Sequence, residues 1–128
     1  DREASWAMQG KRRCFGYKGH VGVDMKSGLI RKAKLTSANV YEGDIFREMV
    51  NGDEEWAIAD KAYESEKNYD FLREKGVHSG MMFRAKSCYP LRPIEKFFNR
   101  IIAKHRAAVE RIFGTLKRSY GWRRVRYK

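Results

Sequence analysis

The stretch from residue 94 to residue 116 constrains this chain more than any other. Ile94, Phe97, Phe98, Ile101, Ile102, His105, Val109, Ile112 and Leu116 recur at helical spacing over about six turns. The stripe they form reads as core, and His105, which falls on it, reads as a packed core histidine rather than a ligand. Beside it run Arg106, Glu110 and Lys117, four and then seven residues apart, so that all three directions fall within about 40° of one another. A carboxylate thus lies between two cations on a face separate from the apolar one, as on an active-site helix. The same spacing also describes an ordinary solvated pair worth a few tenths of a kcal/mol.

Upstream, strands and helices mix. Residues 1–13 are polar, end in Lys11-Arg12-Arg13 and read as an irregular lead-in. From 15 to 24 the apolar Phe15, Tyr17, Val21 and Val23 alternate with Lys18, His20 and Asp24, the pattern of a half-buried strand. Lys26-Ser27-Gly28 supplies a turn, and 29–35 continues as a second strand, giving an antiparallel hairpin. Ile45, Phe46, Met49 and Val50 predict a short helix over 42–50, stopped by Asn51-Gly52. Trp56-Ala57-Ile58-Ala59 predicts a buried strand with Asp60 at its carboxyl end, placed like a site residue. Ser65 as N-cap and Gly76 as stop bound a second helix, 80–83 reads as one more strand, and Pro90 and Pro93 punctuate the loop before the long helix.

Charge narrows the partners. The 28 Lys+Arg against 16 Asp+Glu leave a formal charge of +12, which points to nucleic acid as the polyanion. A membrane is disfavoured, because no apolar run approaches the ~20 residues of a span, and Asp1 opens no signal peptide; the expectation is an intracellular protein. A chain of 128 residues fits one domain, 1–128. Cys14 and Cys88 lack metal-ligand spacing and read as reduced thiols, with no zinc site. In the tail, 117–128, Lys117, Arg118, Arg123, Arg124, Arg126 and Lys128 alternate with Tyr120, Trp122 and Tyr127, so cations for phosphates and aromatic faces for bases or sugars arrive together. Such contacts carry no base information, so this binding is expected to be largely independent of sequence.

The segment Arg106-Ala107-Ala108-Val109-Glu110-Arg111-Ile112-Phe113-Gly114-Thr115-Leu116-Lys117 resembles the R-x-x-x-E-x-x-x-x-x-x-K signature of DDE transposases of bacterial insertion sequences. Four further pieces fall in that family's order: Gly16-Tyr17-Lys18-Gly19-His20 with Val23-Asp24, Ser37-Ala38-Asn39-Val40, Ala59-Asp60-Lys61-Ala62-Tyr63, and residues 120–127. The resemblance implies a ribonuclease H-like α/β fold, a mixed sheet packed by helices, in which carboxylates hold two Mg²⁺ or Mn²⁺ ions, hard cations that prefer oxygen. It maps the second catalytic aspartate onto Asp60 and the glutamate onto Glu110, and sets Arg106 and Lys117 against a DNA phosphate. The implied activity is DNA cleavage and strand transfer at transposon ends, with transposon and target DNA as partners, a homodimer of the full-length protein, and a place at the nucleoid in the bacterial cytoplasm.

The chain departs from the family in three places. Ala103 stands where the signature has tyrosine, and Tyr41-Glu42 stand where His-Asp follows Ala-Asn-Val. The family's first catalytic aspartate lies on a strand upstream of Asp1-Arg2-Glu3-Ala4, so the expectation is a sheet lacking its first, central strand and a chain of slight activity alone. Either 15–24 pairs directly with 56–60, or the sheet is left marginal. Asp24 is the candidate replacement ligand, although an acid before Lys26-Ser27-Gly28 is also what a hairpin turn wants. Two other classes stay open: a non-catalytic nucleic-acid-binding module, and another ribonuclease H-like nuclease.

Overall fold

A computed structural model describes residues 2–9 and 11–122. The order is β1 (Ser5–Gln9), β2 (Arg12–Val23), β3 (Ile30–Ser37), α1 (Glu42–Met49), β4 (Trp56–Ala59), a 3₁₀ turn (Lys61–Tyr63), α2 (Glu66–Lys75), β5 (His78–Met81), α3 (Pro93–His105) and α4 (Ala107–Ser119). The class is mixed α/β. The strands fall into two sheets, an antiparallel β1-β2-β3 and a parallel β4-β5, and no ladder joins β2 to β4 among the described residues.

The lead-in expected to be irregular contains a strand. Ser5 to Gln9 pair with Gly16 to Arg12, and Trp6, opposite Phe15, brings its ring to 5.3 Å from it. The end of β3 meets the start of β1, where Asn39 N–H donates to Ser5 Oγ at 3.0 Å and Ser37 Oγ donates to the Glu3 carbonyl. The expected hairpin forms as β2 and β3, but its inward face is the opposite one. Phe15 and Tyr17 are exposed, whereas His20 is buried, its Nε2 2.9 Å from Thr36 Oγ1. Lys18, next to it on that face, donates to the Val40 carbonyl at 3.5 Å and pairs with Glu42 at 3.3 Å. Polar groups can face inward here because each finds a partner.

The core is built around β4. Ala57 and Ala59 face Phe46 of α1 and Leu72 of α2, and Val77 and Met81 complete the cluster. Ile58 faces the other way, onto α3. There Gly80 makes close approach possible: a Cβ on it would lie 2.9 Å from Ile58 and 3.3 Å from Ile102. The parallel partner of β4 starts two residues earlier than 80–83, because Gly76, in a left-handed conformation, ends α2 and delivers His78 to Trp56, ring against ring at 5.0 Å. Asn68, wholly buried, ties the layers together. Its Nδ2 donates to the carbonyls of Gly43 at 3.1 Å and Tyr63 at 2.7 Å, and its Oδ1 accepts from Arg47 at 3.1 Å.

The long helix is two. The α3 ladder closes with Arg106 N–H on Ile102 at 3.0 Å, and the α4 ladder starts with Val109 N–H on the Arg106 carbonyl at 3.0 Å. No proline or glycine lies between 103 and 108. What marks the junction is Arg106, whose guanidinium leaves the helix for a tertiary partner. His105, expected in the core, is exposed, and so are Ile94, Phe97 and Ile101. The apolar stripe is wider than the surface available to cover it: α3 buries Ile102 and sets Phe98 against Phe83, ring centroids 5.3 Å apart. At the far end Gly121 turns the chain back in a left-handed conformation, and Trp122 packs against Phe113 with ring centroids 6.1 Å apart and over Gly19 of β2. Among the described residues no helix is long and apolar enough to cross a membrane.

Candidate active site

Asp60 follows β4 directly and caps the 3₁₀ turn. Its Oδ1 accepts the Lys61 N–H at 2.6 Å, which fixes one side of the carboxylate. Its Oδ2 lies 3.6 Å from the Arg106 guanidinium, the one long-range ion pair that reaches this strand end among the described residues. Arg106 is braced by Met82, whose sulfur lies 3.8 Å from Nη1. The Asp60 side chain keeps 39% of its surface and Arg106 keeps 23%, so the pair sits at the rim of the core rather than in it. A pair this open contributes little to stability, about 0–1 kcal/mol; what it fixes is position.

Tyr63 stands behind this pair. Its phenol is pushed up by burial first, then by the negative charges of Glu42 and Asp60, against which Arg106 pulls down. Glu42, at the start of α1, adds its charge to that field, and its ion pair with Lys18 carries the network across to β2. His20 closes it. Burial holds its imidazole below the usual histidine range, Lys18 and Lys34 push the same way, and Glu42 opposes them. Arg84 buttresses the outer side of the turn, donating to the Lys61 carbonyl at 2.9 Å and, through its backbone N–H, to Glu64 at 3.2 Å.

The expected site residues are placed unevenly. Asp60 and Arg106 meet. Glu110 stands one turn beyond Arg106 on α4, exposed, its side chain without hydrogen bond or ion pair among the described residues. Lys117 and Arg118 are exposed near the end of α4, Arg118 Nε reaching the Gly114 carbonyl at 3.4 Å. Arg123, Arg124 and Arg126 lie outside the described residues. Asp24 is committed to its turn: its Oδ2 accepts the Ser27 N–H at 2.8 Å and the Ser27 hydroxyl at 2.6 Å, and these bonds hold its carboxyl below the usual range. Asp60 and Glu110 offer the oxygen donors that a hard divalent ion takes, but among the described residues no three His, Cys, Asp or Glu gather to hold one. Reading from sequence passed over Glu42, Tyr63 and Asn68. Tyr63 lay inside the quoted Ala59-Asp60-Lys61-Ala62-Tyr63, and Glu42 follows Ala-Asn-Val, but nothing in either piece says that α1 packs on the turn, where Phe46 meets Tyr63 with ring centroids 5.8 Å apart.

No solved structure matches the chain. Over 99% of its length it is 32% identical to a transposase for insertion sequence element IS1106 from Neisseria meningitidis serogroup B, of which it spans 44%. Residues 1–128 match the family described as Transposase DDE domain. The chain belongs to the DDE transposase domain family.

Proposed function

We propose that this chain is the carboxyl-terminal part of the catalytic domain of a DNA transposase, ribonuclease H-like in arrangement, which cuts and joins DNA at transposon ends by metal-dependent phosphoryl transfer. The observation that carries the reading is the meeting of Asp60 and Arg106. An acid at a strand end is held beside the arginine that opens the helix bearing Glu110. Asp60 and Glu110 would hold Mg²⁺ or Mn²⁺, and such ions, when bound, activate a water or a 3′-hydroxyl and stabilise the leaving oxygen. Arg106, Lys117, Arg118, Arg123, Arg124 and Arg126 would bind phosphates, Arg106 by its planar fork and Lys117 as a point charge. Asn68 and Arg84, which donate to the Tyr63 and Lys61 carbonyls, hold the turn that presents Asp60. A third carboxylate would come from outside this stretch, since Asp24 is taken up by its own turn; the partner is DNA, the full-length protein acts as a homodimer, and its place is the bacterial cytoplasm, at the nucleoid.

The test is strand transfer from a pre-exposed 3′-hydroxyl end into plasmid DNA, run with the full reading frame that holds this chain and with residues 1–128 alone. Asp60→Asn and Glu110→Gln are each expected to abolish Mg²⁺-dependent transfer by the full protein while DNA affinity stays within a few-fold. Residues 1–128 alone are expected to transfer nothing. Retained transfer in either variant would remove that residue from the site, and robust transfer by 1–128, lost in Asp24→Ala, would make Asp24 the third ligand.

A further inference from the structure

The outward face of α3 is a feature that the candidate site does not use. Lys96, Arg100 and Lys104 are spaced by four, all exposed, with no hydrogen bond or ion pair from their side chains among the described residues. At 1.5 Å rise per residue they stand about 6 Å apart along one ridge. Ile102 and Phe98 occupy the opposite side of the helix, Ile102 buried and Phe98 set against Phe83 with ring centroids 5.3 Å apart, while Asn99 on the flank bonds both the N–H and the carbonyl of Phe83, at 2.8 and 3.0 Å. The ridge therefore points away from the sheet. The single acid between 84 and 106 is Glu95, and it is occupied by Arg92, accepting from its backbone N–H at 2.7 Å and its guanidinium at 3.0 Å. Beside the ridge lie Ile94, Phe97 and Ile101, 65%, 55% and 39% exposed.

We infer that this face is a second nucleic-acid surface, on which Lys96, Arg100 and Lys104 track the phosphates of duplex DNA while Phe97 and its apolar neighbours lie against the sugars. The inference rests on the reading of the chain as a DNA-acting protein. Charge complementarity selects the partner. A second copy of a chain with net charge +12 would bring cations against this ridge, whereas a phosphate backbone supplies a run of anions at comparable spacing. The ridge is separate in sequence from the basic tail at 117–128, so the two are separable by mutation.

The experiment measures affinity for a random-sequence duplex by fluorescence anisotropy as a function of salt, for the whole chain and two triple variants. In one, Lys96, Arg100 and Lys104 become Gln; in the other Lys26, Lys67 and Lys75 do, removing equal charge elsewhere. Because each phosphate contact contributes about 0.9 to the slope of log affinity against log salt, the first variant should lower that slope by up to about 3 and the second by much less. Equal losses in both variants, or none in the first, would overturn the ridge while leaving DNA binding intact. Absence of DNA binding by the unsubstituted chain would instead overturn the DNA-acting reading on which the inference rests. Light scattering supplies the remaining outcome: a dimer dissolved by Phe97→Ser would show that the face is an interface between copies. Thermal melts of both triple variants should match the parent, since none of the six side chains is buried.

Discussion

The two halves that meet at Arg106 and Asp60 are built on opposite principles. On the Asp60 side, β4 lies under α1 and α2, its alanines against Phe46 and Leu72, and Asn68 pins the helices to the turn that carries the acid. On the Arg106 side, α3 and α4 contribute Ile102 and Ala108 to the buried set and leave Ile94, Phe97 and Ile101 in water. The first half holds its chemical group by packing. The second holds its groups on a helix with one covered face, and most of its cations have no side-chain partner among the described residues. The difference teaches where the domain is finished by itself and where it is shaped for something else.

Core truncation should break the comparison open most visibly. Leu72 is 1% exposed at the centre of the Asp60 half, so Leu72→Ala should cost about 2–5 kcal/mol in urea denaturation. Phe97→Ala removes a larger side chain, but from a surface, and should stay within about 0.5 kcal/mol. If Phe97→Ala cost as much as Leu72→Ala, α3 would be covered in solution and the contrast between the halves would be an artefact of the isolated chain.

The second effect sharpens how the halves are tied. Gly19 of β2 faces Trp122, and a Cβ added there would overlap the indole ring, which packs against Phe113, while the Trp122 backbone N–H donates to the Leu116 carbonyl at 3.0 Å. Gly19→Ala should therefore cost about 1–3 kcal/mol through overpacking. In a Trp122→Ala background the same substitution should cost much less, because the two sites share one contact. Additive losses would mean that Trp122 does not sit on β2, and would return it to the role expected from sequence, an aromatic face free for a base or sugar.

Local periodicity made much of the first half legible: β4 ends where the apolar run ends, Ser65 caps α2 through the Asn68 N–H at 3.3 Å, and Gly76 stops it. Asp60 was readable as an acid at a strand end. What periodicity could not show was which alternating face turns inward. Phe15 and Tyr17 looked like the core face of β2, but Thr36, Val40 and Glu42 satisfy His20 and Lys18 from neighbouring elements, and those partners lie 16 to 24 residues away in sequence. The same limit applies to α3, whose period marks an apolar stripe without saying how much sheet there is to cover it. The surroundings of Tyr63 were hidden for a related reason: Phe46 of α1 packs on the 3₁₀ turn, a tertiary event with no local signature.

The smallest expected effect uses the two histidines that the sequence assigned the other way round. His20 is buried against Thr36, and burial, with Lys18 and Lys34 nearby, holds its imidazole below the ordinary value of 6.5, Glu42 only partly opposing. A histidine depressed in the folded state stays neutral there while the unfolded chain takes up a proton. Its contribution is therefore complete above about pH 6.5 and is lost as pH falls from that value through the lower folded one. The melting temperature should accordingly fall between pH 7.5 and pH 5, a window above the ordinary carboxylate range. His20→Gln, which keeps a side chain able to bond Thr36 but cannot be charged, should flatten that decline even if it lowers the melting temperature overall. His105→Gln, on the exposed face of the helix end, should leave the slope as it was. A slope that survived His20→Gln and vanished in His105→Gln would place the buried histidine on α3, and with it the packed half of the domain.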